Sequence, residues 1–239
     1  MAIITGGSRG IGRQAALRLA ADGFDVVLGY MSAHKQARET VEAIEKAGGR
    51  AIAVAGDISE PQAATALFDA AETHFGGVDV VVHAAGVMTA LKPITATDFE
   101  ALDRVYAVNV RGSFLVAQQA ARRVREGGAI LTFSTSAIAL ARPGYAVYTS
   151  SKAAVEAMTR TLARELRGRD ITVNAVAPGP TETELFFEGK DQAAIDRLTK
   201  EAPLERLGTP EDIAEAVAFL AGPARWVHGQ VIRVNGGSA

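Results

Sequence analysis

"AIITGGSRGIGRQAALRLAADG", Ala2 to Gly23, is the stretch whose reading decides the fold. A short apolar run, Ala2 to Thr5, passes directly into a glycine-rich turn, Thr5 to Gly12, and the residues that follow repeat apolar side chains at helical spacing. Gly6, Gly10 and Gly12 stand at this strand-to-helix turn. Small residues there let backbone approach a ligand and let the helix pack on the sheet, and the first N–H groups of the helix face an anion. A glycine triplet alone is equally the mark of a tight turn with no ligand. Its position immediately after the first strand makes it a dinucleotide cradle, with Ser8, Arg9 and Ile11 between the glycines.

Working outward, short β-branched runs alternate with longer stretches of helical period, the pattern of a parallel sheet covered by helices on both faces. The further strand candidates are Asp25 to Tyr30, Ala51 to Asp57, Val78 to Gly86, Ala129 to Ser134, Ile171 to Pro178 and Gln230 to Gly237, so seven strands are expected in all. Helices are expected to start near Gly10, Ala33, Pro61, Thr97, Tyr148 and Pro210. Ser59 before Pro61 and Thr209 before Pro210 both read as an N-cap followed by proline in the first turn. The fold expected is α/β, a Rossmann-type doubly wound sheet of seven parallel strands in a single domain spanning 1–239. One connection is far longer than a normal linker, the one that follows the sixth strand, and a segment of that length in a compact domain is usually functional.

Charge at the end of the second strand bears on which nucleotide the cradle holds. A site for NAD usually carries a carboxylate there, which accepts from the ribose 2′-hydroxyl and would repel a 2′-phosphate. Here the strand ends in Gly29, Tyr30, Met31 and Ser32, with no carboxylate. Arg9 is placed to meet a phosphate, and a hydrogen bond to a charged group contributes about 1.5–3 kcal/mol, enough for tenfold preference or more. NADP(H) is therefore expected and NAD(H) disfavoured. Ser32, His34 and Lys35 are weaker phosphate candidates.

"YTSSK", Tyr148 to Lys152, places a phenol and an ammonium on one face of a helix. A phenol with a pKa near 10 exchanges protons poorly at neutral pH, but an adjacent ammonium and the positive nicotinamide of an oxidised cofactor both favour phenolate. Tyr148 is thereby expected to serve as an acid/base. An isolated pair of this kind is more often a packing tyrosine and a solvated lysine; its company with the nucleotide turn, Asn109 and the hydroxyl cluster at Ser134 to Ser136 reverses that.

Composition excludes other chemistries. A chain of 239 residues with 48% hydrophobic content suits one large domain with a buried core. Twenty-five basic against 27 acidic residues, a net charge of −2 and no basic block argue against nucleic acid or an anionic membrane as partner. There are no cysteines, which excludes disulfides, thiolate nucleophiles and zinc–cysteine sites. His34, His74, His83 and His228 lack ligand spacing, so no metal is expected and they read as surface or packing residues. No apolar run approaches the roughly 18 residues that span a bilayer, and no signal peptide is evident, so a cytoplasmic protein is expected.

Seven motifs in order, over essentially the whole chain, resemble the short-chain dehydrogenases/reductases: "TGGSRGIG", Asp57 in "AGDIS", Gly86 in "HAAG", Asn109 in "VNVRG", the hydroxyl cluster "FSTS", Tyr148-x-x-x-Lys152 and "APGPTET". The resemblance implies that Asp57 binds the adenine amino group with Ile58 beside the ring, and that Ala84, Ala85 and Gly86 line the adenosine ribose. It implies that Pro178, Gly179, Thr181 and Thr183 border the nicotinamide. Asn109, on the long fourth helix, is similar to the asparagine that holds a water in a proton relay. Lys152 would also bind the nicotinamide ribose, while a hydroxyl polarises the substrate oxygen. Counting thirteen residues back from Tyr148 reaches Thr135, whereas Ser136 has the family's residue type and is slightly preferred. Where the family often reads "NNAG" this chain has His83 and Ala84, a departure expected to loosen the loop.

The implied activity is NADPH-dependent reduction of a ketone or aldehyde, the alternatives being an NAD-dependent alcohol dehydrogenase or a non-catalytic NADP-binding regulatory protein. Tyr145 is expected to wall the substrate pocket, and a lid is expected at about 181–208, at the carboxyl ends of the strands. Its aromatic pair, Phe186 and Phe187, reads equally as pocket wall or as the buried side of a short helix. The resemblance is closest to reductases of 3-oxoacyl thioesters and of cyclic or aromatic ketones such as polyhydroxynaphthalenes, though no basic cluster on the lid suggests an acyl carrier protein. Members of this size are commonly homotetramers, and "AAVEAMTRTLAREL" carries apolar residues on more than one face, so a homotetramer, or a homodimer, is expected.

Overall fold

The computed structural model describes residues 1–239. Its seven strands are β1 (Ala2–Thr5), β2 (Val26–Tyr30), β3 (Ala51–Ala55), β4 (Val78–His83), β5 (Val124–Phe133), β6 (Thr172–Pro178) and β7 (Val231–Val234). They form one sheet in the order β3-β2-β1-β4-β5-β6-β7, every pair parallel. The sheet is thus doubly wound, and its order reverses between β1 and β4, where the carboxyl ends of the strands leave a crevice for a ligand.

Side-chain alternation along the buried strands sends successive residues to opposite faces. Ile3, Val81, Ile130 and Val173 enter one core beneath the helices α3 (Pro61–Phe75), α5 (Gly112–Arg123) and α7 (Ala146–Glu165). Ala2, Ile4, Val82 and Leu131 enter the other, beneath α1 (Gly10–Ala21), α2 (His34–Lys46) and α10 (Pro210–Ala221). The remaining helices are α4 (Phe99–Tyr106), α6 (Ala137–Leu140), α8 (Glu184–Phe187) and α9 (Gln192–Glu201). No helix is long and apolar enough to cross a membrane.

Local chemistry sets the helix starts. Thr209 caps α10 through a reciprocal pair: Asp212 N–H donates to Thr209 Oγ1 at 3.2 Å and Thr209 N–H donates to Asp212 Oδ2 at 2.8 Å. Asp98 caps α4, accepting from Ala101 N–H. The expected cap at Ser59 does not form. Glu60 occupies the N-cap of α3, and Ser59 turns back to Asp57, whose carboxylate offers a charged acceptor two residues away. Between α4 and α5 the long helix passes through one π turn, Ala107–Arg111, a local irregularity that recurs at functional sites. The long connection after β6 leaves and rejoins the domain at one place, where Thr181 bridges Gly208.

Candidate active site

β1 ends at Thr5, and the chain turns through Gly6 and Gly10, at φ of 68° and 53°, into α1. The turn admits no side chain at two places. A Cβ on Gly12 would lie 2.2 Å from the Gly6 carbonyl oxygen, and one on Gly6 would lie 3.0 Å from the Ala85 backbone. Around this turn a cavity gathers Gly6, Ser8, Arg9, Gly10, Ile11 and Gly12 with Tyr30 and Ser32 from the end of β2. Asp57 and Ile58 from beyond β3, and Ala84, Ala85 and Gly86 from beyond β4, complete it. The bare glycines, the exposed start of α1 and the absence of a carboxylate at Tyr30–Ser32 fit a dinucleotide with a 2′-phosphate.

Two lining residues, Arg104 and Glu184, were not legible in the sequence. Arg104 reaches across from α4: its Nη1 donates to Asp57 Oδ2 at 2.9 Å and to Ser59 Oγ at 3.3 Å, beside Met31. Burial works against the charge of Asp57, but the hydrogen bonds from Ser59 and Arg104 outweigh it and hold the carboxyl below its usual value. Arg9 does not project freely into solvent. Its guanidinium meets Glu184 of α8 at 2.5 Å, tying the turn to the segment after β6. Both side chains are largely exposed, so the pair contributes little stability and exchanges readily for a stronger anion.

A second cavity shares Ile11, Ala84, Gly86, Thr183 and Leu185 with the first, and holds Tyr148, Lys152, Thr135, Ser136, Pro178, Gly179, Thr181 and Thr183. Tyr148 and Lys152 lie on consecutive turns of α7. Lys152 donates to the Phe133 carbonyl at 2.9 Å, and burial pulls its pKa down to about 8. The expectation that Lys152 lowers Tyr148 is not met by the chain alone. Burial pushes the phenol up to about 12, and the hydroxyl of Thr135, which faces it, opposes that rise.

The three hydroxyls at the end of β5 divide by direction. Ser134 donates to Glu156 at 2.6 Å. Ser136, the slightly preferred residue, is turned away: its Oγ donates to the Ala177 carbonyl at 3.0 Å, accepts from Asn235 Nδ2 at 3.1 Å and is buried. Thr135, between them, is the one that meets the phenol. Residue type pointed to Ser136, but Glu156 takes Ser134 while Ala177 and Asn235 take Ser136, which leaves Thr135 for the phenol.

Asn109 sits in the π turn, fully buried, with its amide committed. Oδ1 accepts from Val87 N–H at 2.8 Å, while Nδ2 donates to Val87 O at 2.9 Å and to Ser151 Oγ at 3.0 Å. It therefore clamps the segment after β4 against α7. A Cβ on Gly86 would lie 3.1 Å from Lys152 Nζ and 3.3 Å from Asn109 Oδ1, so this glycine lets the segment pass directly over both. Nor does His83 loosen the loop. Its Nδ1 is 2.8 Å from Thr5 Oγ1, which also accepts from Ala85 N–H at 3.1 Å, so β1 and the loop are joined. Burial, with the Lys152 charge adding to it, brings the His83 pKa down to about 3 and keeps the imidazole neutral at neutral pH.

A family model described as enoyl-(acyl carrier protein) reductase matches residues 6–239. A short-chain type dehydrogenase/reductase of Picea abies is 48% identical, the match covering 99% of this chain and 91% of the relative. An NADPH-dependent aldehyde reductase-like chloroplastic protein of Arabidopsis thaliana is 41% identical over 99% of this chain and 93% of its own. A hydroxynaphthalene reductase-like protein of Metarhizium acridum is also 41% identical, over 100% and 94%. Among solved structures, a short-chain dehydrogenase of Burkholderia cenocepacia in complex with NADP superposes with a TM-score of 0.93, at 36% identity, over 99% of this chain and 96% of that one. With sheet order, glycine turn and the Tyr148–Lys152 face in agreement, the chain belongs to the short-chain dehydrogenase/reductase family.

Proposed function

We propose that this protein reduces a ketone or aldehyde carbonyl to an alcohol at the expense of NADPH, with Tyr148 as general acid. The observation that carries the reading is the meeting of a protonated phenol, a facing Thr135 hydroxyl and the Lys152 ammonium in a cavity continuous with the glycine cradle. NADPH held in the cradle supplies the hydride. The chain's own part is to place the carbonyl oxygen between Tyr148 and Thr135. Tyr148, with its pKa raised to about 12, is fully protonated at neutral pH and donates its proton as charge develops on that oxygen. Thr135 contributes a second hydrogen bond to the same oxygen.

Lys152, held by the Phe133 carbonyl one turn beyond Tyr148, keeps a positive charge near the developing alkoxide and offers its remaining N–H groups to a ribose. Asn109 acts by clamping Val87 and Ser151, which positions Gly86 and α7. Within the cradle, Asp57 takes the adenine end, and Arg9, on leaving Glu184, takes the 2′-phosphate. Segment 181–208 serves as the lid.

Initial rates of NADPH and NADH oxidation over 3-oxoacyl thioesters, cyclic ketones, quinones and aldehydes test this. The expected result is turnover with NADPH at least about tenfold more efficient than with NADH, a margin that narrows in Arg9→Ala. An NADH preference would overturn the cofactor assignment.

The assembly proposed is a homotetramer. Large exposed apolar residues lie on two separate parts of the chain, Phe99 and Phe114 on α4 and α5, and Phe219 on α10 with Trp226 between α10 and β7, which supports two different two-fold interfaces. A monomer in sedimentation velocity at micromolar concentration would exclude it. The compartment proposed is the cytoplasm, although the Arabidopsis relative is by its name chloroplastic.

A further inference from the structure

Every charged side chain lining the cavity before Tyr148 is cationic: Arg142, Lys152 and Lys190. Arg142 is neutralised by the carboxylate of Glu201 of α9, and Lys152, held by the Phe133 carbonyl, belongs to the reacting end. Lys190, between α8 and α9, pairs with no carboxylate; its Nζ donates to the Phe186 carbonyl at 2.5 Å and lies 4.8 Å from the centroid of the Phe186 ring.

An ammonium has three donors, and a half-buried one with a single neutral acceptor is left partly unsatisfied. Burial accordingly pulls Lys190 below the ordinary lysine value, with the nearby Glu188 charge only partly opposing it. Apart from these cations and the hydroxyls of Ser134, Thr135, Ser136, Thr181 and Thr183, the side chains of the wall are apolar or aromatic, among them Met88, Leu140, Tyr145, Leu185 and Phe186. The cavity thus has a carbonyl-holding end at Tyr148 and Thr135, an apolar body, and one uncommitted positive charge on the lid.

We propose that Lys190 anchors a carboxylate carried by an apolar, ring-bearing ketone, so that the preferred substrates of this enzyme are bulky keto acids. The assignment rests on the carbonyl-reductase reading. A monoanion fits better than a phosphate dianion, because Lys190 is the one cavity cation away from the reacting end that lacks a carboxylate partner, and a lysine acts as a point charge rather than a bidentate fork. Because Lys190 would touch a part of the substrate that does not react, its contribution falls on KM and not on kcat.

The test uses three probes in the presence of NADPH: 1-tetralone, a tetralone carboxylic acid and the methyl ester of that acid. The native enzyme is expected to show a KM for the acid about tenfold or more below that for the ester. The ratio should fall to near one in Lys190→Met and survive in Lys190→Arg. Equal KM values in the native enzyme, or a ratio that persists in Lys190→Met, would overturn the anchor while leaving the reductase intact.

Calorimetric binding of the acid to the NADPH complex of Tyr148→Phe separates the two readings. Binding that depends on Lys190, with no ketone turned over by the native enzyme, would leave the anion site standing and remove the reductase. No binding of the acid would overturn the site.

Discussion

Tyr148→Phe is expected to lower kcat by about 10²–10⁴-fold, the usual contribution of a positioned general acid, while leaving NADPH affinity close to native. The substitution removes one oxygen and keeps the ring, so packing within α7 is undisturbed. What is lost is the only buried, fully protonated acid facing Thr135. Lys152 cannot replace it: its ammonium is engaged by the Phe133 carbonyl, one helical turn further along. Single-turnover measurements with saturating NADPH isolate the chemical step. A variant retaining a tenth or more of native turnover would remove Tyr148 from the role of acid.

Gly12→Val is expected to abolish the cradle. A Cβ at this position would stand 2.2 Å from the Gly6 carbonyl oxygen and 2.8 Å from the Gly6 carbonyl carbon. Both are backbone atoms of the same turn, so no side chain can rotate away to make room. Either α1 shifts off the sheet or the turn opens, and overpacking of this kind costs about 1–3 kcal/mol before any loss of ligand contacts. NADPH affinity should fall on the order of a hundredfold, and the melting temperature by about 2–12 °C for a domain of this size. Calorimetric titration with NADPH and thermal melts of Gly12→Ala and Gly12→Val check this. Native affinity in Gly12→Ala would mean that the turn is not the binding element.

Strand and helix order, the glycine turn and the capping of α10 were legible because each is written in neighbouring residues. Apolar alternation, a run of small residues and a threonine followed by proline act over a few positions, and β1 and the Thr209 cap form as their local patterns demand. Ser59 failed as a cap for a reason also local but competitive: Asp57, two residues earlier, is the better acceptor. Asn109 stood out in the sequence as a candidate, but its contacts were not legible, because Val87 and Ser151 lie 22 and 42 residues away.

The sequence by itself determined a doubly wound α/β fold, a glycine-rich turn between β1 and α1, and a phenol and ammonium on one helical face. Periodicity and backbone sterics suffice for all three. Only the tertiary structure decided which of Ser134, Thr135 and Ser136 meets Tyr148, since that depends on Glu156, Ala177 and Asn235 taking the other two. It alone brought Arg104 onto Asp57, Glu184 onto Arg9 and Lys190 into the cavity. Those contacts join segments far apart in the chain, and a side chain's partner across such a distance is set by how helices pack on the sheet, which no local pattern records.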